Sequence, residues 1–148
     1  MSKILLVGQA PNRTGTPHLP LLGKVGEKIA AMAGLSADQY LTTFNRINIL
    51  SHYPGKSGKG DAFPITRARH QARKIRLPRE TIFIGKQAAA AFGFNVPFLT
   101  WLYIDGRRRV AILPHPSGIN SWYNNPSNQK KCNTFVHLAV TRNIRKSH

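Results

Sequence analysis

Four short, largely apolar runs constrain this chain more than anything else in it: residues 3–7 (KILLV), 46–50 (RINIL), 81–84 (TIFI) and 110–113 (VAIL). Runs without polar alternation belong to strands buried on both faces, which is the signature of a parallel sheet. Parallel neighbours cannot be joined by a tight turn and need a crossover, usually a helix. Helical spacing indeed fills the gaps. The expected fold class is α/β, a three-layer α/β/α arrangement with a central four-stranded parallel sheet. No repeat or linker divides the 148 residues, so one domain over 1–148 is expected.

Leu22, Val25, Ile29 and Met32 keep a three-to-four spacing that predicts a helix over 21–34, stopped by Gly34. Ser36, Ala37 and Asp38 can cap a second short helix reaching about residue 42. Pro64 opens a third, with Ile65, Ala68, Ala72 and Ile75 as its apolar stripe. Arg67, Arg69, Arg73, Lys74 and Arg76 fill the rest without one acid, giving either a solvated face or a phosphate-contacting one. Gly85-Lys86-Gln87 closes the third strand ahead of a helix over 88–92, and residues 94–103 read as apolar packing. An Asp105-Gly106 turn leads into the fourth strand. The last segment predicts a helix over 128–146, burying Cys132, Phe135, Val136, Ala139, Val140 and Ile144.

Charge narrows the partner. Twenty-two Lys and Arg face only 5 Asp and Glu, a formal +17, and they are spread along the whole chain. A basic folded domain favours a polyanion, nucleic acid first. No stretch is apolar enough to span a membrane, the amino-terminal run is far too short for a signal peptide, and no lipidation motif ends the chain. One cysteine, Cys132, allows no internal disulfide and no cysteine-built metal or iron–sulfur site. Gly55-Lys56-Ser57 lacks the spacing of a phosphate loop, which excludes nucleoside triphosphate binding by that device.

Chemistry-bearing residues gather where strands end. The fourth strand stops at Pro114-His115-Pro116-Ser117-Gly118, two prolines fixing a histidine in a turn at a carboxyl end, where open α/β sheets bind ligands. Trp122, Tyr123 and Asn124 follow with stacking surface and polar reach. Gly8 after the first strand lets backbone N–H groups face a ligand. Asn48 sits among large apolar residues and must either tie down a neighbouring loop or recognise a polar ligand. Residues 51–61 form a basic loop long enough to be functional.

Taken together, these stretches resemble the uracil-DNA glycosylase superfamily. G-Q-A-P-N at 8–12 is similar to the family's first motif, a Gly-x-(Asp/Asn/Ala)-Pro-x turn, and H-P-S-G at 115–118 to its second. Asn48 falls where the family has a strand asparagine that reads the pyrimidine. P-L-L-G-K-V-G at 20–26 and T-I-F-I-G-K-Q-A-A at 81–89 resemble the four-cysteine iron–sulfur branch, without its cysteines. The resemblance implies a DNA glycosylase that flips a deaminated or modified base and hydrolyses its N-glycosidic bond. It implies His115 as donor to the departing base, with the backbone of Gln9 and Ala10 adding amides, and Asn12 as a residue able to position water. Asn48, Gly8 and Leu21 would form the base pocket. Ser117, Gly118, Ile119 and Asn120 would engage DNA, Ile119 as the wedge behind the flipped nucleotide. Lys56, Lys59, Arg67 and Arg73 would add backbone affinity. No cofactor or metal is expected. The expected partner is single- or double-stranded DNA and not a membrane, the chain a monomer, its place the cytoplasm of a bacterial or phage-encoded system or another compartment holding DNA.

Three departures widen the reading. Ala10 stands where many members carry an acid, and the loop offers none before Glu27, inside the predicted helix, leaving Asn12 or Asp61 as candidates. Leu21 replaces the phenylalanine expected to stack on the base, with His18 or Phe44 as substitutes. The pocket therefore suits a bulkier modified pyrimidine as well as uracil. A non-catalytic DNA-binding module of the same fold is the alternative function, and an RNA-binding α/β protein rests on charge alone.

Overall fold

The computed structural model describes residues 3–11, 21–52, 54–57, 60–61, 63–116 and 121–146. The chain runs β1 (Ile4–Gly8), α1 (Lys24–Ala33), α2 (Ala37–Thr43), β2 (Phe44–Asn48), β3 (Lys56–Ser57), β4 (Gly60–Asp61) and α3 (Ile65–Ala72). It continues through β5 (Glu80–Ile84), α4 (Lys86–Ala91), β6 (Leu102–Tyr103), β7 (Arg109–Leu113), a 3-10 turn (Ser121–Asn124) and α5 (Pro126–Lys146). The main sheet has the order β2-β1-β5-β7-β6, with β3 and β4 pairing separately.

The four expected strands are parallel, from β2 through β1 and β5 to β7. A fifth, β6, adds to the edge antiparallel to β7. Its two residues are exposed, so neither hydrophobicity nor length announced it. Its cause is the Asp105 turn, whose Oδ1 accepts the backbone N–H of both Arg107 and Arg108 at 2.8 Å and reverses the chain. The second strand begins and ends two residues earlier than the apolar pattern suggests. Ile49 and Leu50 are buried but lie beyond it, their N–H groups donating to the carbonyls of Gly8 and Gln9.

Every residue of β1, β5 and β7 is buried, and successive side chains enter two cores on opposite faces of the sheet. Ile4, Leu6, Ile82, Ile84 and Leu113 face α1, Tyr40 of α2, and Cys132, Val136, Ala139 and Val140 of α5. Leu5, Val7, Phe83, Val110 and Ile112 face Ala68 and Ala72 of α3 and the alanines of α4. Both faces of the sheet are covered, which is why its strands read as continuous apolar runs. Phe92 and Phe94 pack against Phe83 in the same core as Ala68 and Ala72, with ring centroids 5.0 and 5.8 Å from it. Of the face expected on α5, the side chain of Ile144 lies outside the described residues.

Candidate functional site

From β1 the chain moves to β2 on one side, while β5 and β7 build on the other. The crevice outside the carboxyl ends of β1 and β5 is therefore the topological switch point, where such sheets hold ligands. Three connections leave the sheet there: residues 9–11 after β1, Gly85 after β5 and residues 114–116 after β7.

Gly85 joins the first and last of them. It sits at φ 96, ψ 157, a region essentially confined to glycine. A Cβ on it would lie 3.4 Å from Gln9 Nε2 and 3.5 Å from His115 Cβ. Two sequence motifs more than a hundred residues apart thus flank one glycine. Its N–H donates to the Leu113 carbonyl at 2.8 Å, tying the end of β5 to the end of β7.

His115 is half-buried between two buried prolines. The turn is anchored from behind: Tyr123 Oη donates to the Pro114 carbonyl at 2.5 Å, and Cys132 Sγ donates to Tyr123 Oη at 3.6 Å. Burial pushes the Tyr123 phenol well above its ordinary range, and burial likewise raises the Cys132 thiol, so both remain neutral donors. Trp122 packs edge-on against Phe98 at 5.8 Å, and Lys86 Nζ lies 4.8 Å above the Phe98 ring. Lys86 is thereby placed at the same edge as His115, a cation that the sequence presented only as part of a strand-ending Gly-Lys-Gln.

A second group forms beside β1. A Cβ on Gly8 would come within 2.5 Å of Asn48 Oδ1 and 2.8 Å of Leu21 Cδ2. Of the three residues expected to share a pocket, Asn48 and Leu21 both approach Gly8, and Asn48 is half-buried at the last position of β2. Leu21 adopts φ 57, a left-handed conformation rare for a side chain of its size. Tyr40 Oη donates to its carbonyl at 2.8 Å, and a Cβ on Gly26 would collide with that same carbonyl. Burial pushes the Tyr40 phenol up to about 12, opposed by the Arg46 guanidinium 5.3 Å from its ring centroid. Nothing in the sequence marked Tyr40, since one tyrosine on a short helix carries no pattern.

Phe44 does not substitute for the missing stacking ring. It is 1% exposed, pairs with Ile4 at the amino end of β2, and packs on Tyr40 at 5.6 Å. Arg67 is exposed in the first turn of α3 and Arg73 exposed at its C-cap, about 9 Å further along the helix axis. Lys56 lies in β3, and Glu27 is exposed in the first turn of α1. Asn12, His18, Lys59, Ser117, Gly118, Ile119 and Asn120 lie outside the described residues. Among the described residues no group of three or more His, Cys, Asp or Glu could hold a metal ion, and no helix is long and apolar enough to cross a membrane.

The sequence model of the uracil DNA glycosylase superfamily matches residues 1–138, spanning both motif loops and every strand of the main sheet. The chain belongs to that superfamily. Its members are in general hydrolytic DNA glycosylases of base excision repair, which gives DNA as the partner class. No curated protein matches the chain individually. The structure adds to the sequence motifs the position of Gly85 between Gln9 and His115 and the hydrogen bond of Tyr40 to Leu21.

Proposed function

We propose that the chain is a monofunctional DNA glycosylase that flips a deaminated or modified base out of DNA and hydrolyses its N-glycosidic bond, leaving an abasic site. The observation that carries this reading is the meeting of Gln9 and His115 around Gly85 at the switch point. Breaking the bond between C1′ and the base nitrogen sends the electron pair out with the base and leaves an oxocarbenium-like sugar. A donor aimed at the base carbonyl is worth most as that charge develops. His115 supplies it from its proline-fixed turn, aided by backbone amides near Gln9 and Ala10. Water adds at C1′ and releases a proton, which balances the charge on the departing base.

Asn48 at the end of β2 holds the base edge, and Leu21 forms the apolar floor beside it. With a leucine in place of a ring, the floor loses a stacking platform but takes less area, which suits a bulkier modified pyrimidine as well as uracil. Asn12 positions the attacking water in place of an acid at Ala10. Ser117, Gly118 and Asn120 engage the backbone, Ile119 fills the gap left by the base, and Lys56, Lys59, Arg67 and Lys86 contribute phosphate contacts. Arg73, further from that edge, contributes less.

Ala10 favours a second reading, a module that binds DNA without cleaving it. Base release separates the two. Purified protein is incubated at low salt with oligonucleotides carrying uracil, hypoxanthine, hydroxymethyluracil or a glucosylated pyrimidine, and abasic sites are then cleaved with alkali. Cleavage that falls about 10²–10³-fold in His115→Ala, with binding retained, is the result expected of an enzyme. Silence on every base with tight, salt-sensitive binding establishes the module instead. Cleavage of uracil alone removes the case for a bulkier substrate.

A further inference from the structure

The end of the sheet opposite His115 carries a second cationic feature. The loop entering β5 and the turn entering β7 enclose an open groove of about 450 Å3, lined by Arg76, Arg79, Arg107, Arg108 and one acid, Asp105, over Leu77 and Pro78. Because β5 and β7 are parallel, both loops lie at their amino ends. The length of β5, about 13 Å from its first to its last residue, separates the groove from the edge that holds Gly85 and His115.

The acids near this end are already committed. Asp105 Oδ1 accepts the N–H groups of Arg107 and Arg108, and its Oδ2 takes Arg108 Nε at 2.8 Å. Those bonds hold its carboxyl down at about 2, so it stays ionised and keeps the turn closed. Glu80 accepts from Arg109 and Asn143. Among the described residues no acid pairs with Arg76, Arg79 or Arg107. The turn fixes the backbone of Arg107 and Arg108, Arg108 is held by its own acid, and three guanidiniums remain for an external anion. Guanidinium forks match phosphate oxygens in pairs, and three of them in one open groove suit a chain of phosphates better than a lone one.

We propose that this groove binds the phosphodiester backbone of a second DNA segment, so that one chain holds two duplexes at opposite ends of its sheet. The inference goes beyond the glycosylase reading and does not depend on base release. A chain that cleaves nothing can still hold two duplexes, and an active enzyme can hold only one.

The test uses the full chain with short undamaged duplexes, and resolves complexes by mass at low salt. The expected species contains one chain and two duplexes. Arg76→Gln/Arg79→Gln/Arg107→Gln should reduce it to one duplex, with release of the base on a short damaged duplex unchanged. The charge-reversed triple variant should do the same, and circular dichroism of both verifies the fold. Occupancy of the second site should fall with a salt slope of up to about 3 in log–log form. A wild-type complex limited to one duplex overturns the proposal, as does a two-duplex complex that contains two chains. Retention of the second duplex by both folded triple variants overturns it too. So does displacement of the second duplex by inorganic phosphate at the same ionic strength as an inert chloride control, which would mark a small-anion site.

Discussion

The Tyr40 hydroxyl donates to the carbonyl of Leu21, 19 residues earlier, and so holds a leucine at φ 57 against the edge of β1. A left-handed backbone costs a non-glycine residue roughly 1–3 kcal/mol and persists only where its surroundings impose it. Here the imposition is a hydrogen bond, a glycine at 26 with no Cβ to obstruct the carbonyl, and the side chain's close approach to Gly8. Tyr40→Phe keeps the ring on Phe44 but removes the donor. Urea unfolding should show a loss of about 1 kcal/mol. In the base-release assay KM should rise more than kcat falls, because the floor of the pocket loosens while His115 stays fixed. Equal falls in kcat and kcat/KM with KM unchanged would contradict a positioning role.

The same phenol makes stability sensitive to alkali. Its pKa lies near 12 in the folded chain against an ordinary value of 10.0. A raised acid contributes stability that is fully present below its unfolded pKa and lost as pH rises through the folded one. Unfolding free energy should therefore decline between pH 10 and about 12. Tyr123, raised further by burial, adds to the decline. In Tyr40→Phe the shares of Tyr123 and Cys132 remain while that of Tyr40 is gone, so the profile over that window should be visibly shallower. Identical profiles for the two proteins would show that Tyr40 ionises as freely folded as unfolded.

Gly85→Ala tests the junction of the two motif loops. The contacts a methyl would make, 3.4 Å to Gln9 and 3.5 Å to His115, are ordinary van der Waals distances. Sterics are therefore not the main cost. The backbone at φ 96 is, and it predicts a loss of about 1–3 kcal/mol in thermal or urea unfolding. If the chain relaxes by moving either loop about 1 Å, base release should fall on the order of 10²-fold at temperatures where the variant is fully folded. Gly8→Ala should be harsher, since its methyl would meet Asn48 Oδ1 at 2.5 Å. Wild-type rates in both variants would remove this crevice from the reaction.

How far the sequence reached follows from what each signal measures. Continuous apolar runs report burial on both faces, so β1, β5 and β7 were legible almost to the residue. The same signal misplaced β2 by two residues, because Ile49 and Leu50 are buried beside Gly8 and Gln9 rather than within the strand. It also missed β6, whose two residues are exposed. Motif residues announced Gly8, Gln9, Asn48 and His115, yet their meeting points did not show. Gly85 looked like a strand end, and its role depends on a crossover that brings β1 and β7 to either side of β5. Phe44 was an attractive ring until the register placed it at the wrong end of its strand.

Arg109 and Glu80, paired across the first rung of β5 and β7, give the last prediction. Both are nearly buried, Arg109 Nε donating to Glu80 Oε2 at 2.9 Å and Arg109 Nη2 to the same oxygen. The guanidinium also lies 4.0 Å from the Trp101 ring centroid, and Asn143 of α5 donates to Glu80 Oε1 at 3.2 Å. Glu80→Leu leaves a buried cation stacked on Trp101 without a counter-charge, and should cost about 3–5 kcal/mol. Arg109→Met leaves the carboxylate with Asn143 alone and should cost a similar amount. The double variant removes both desolvated charges together and should recover most of the loss, because an apolar pair of similar volume often replaces a buried ion pair at little cost. Unfolding measurements on the four proteins form a double-mutant cycle. Additive losses would mean that the two charges are hydrated in the native state and do not depend on each other.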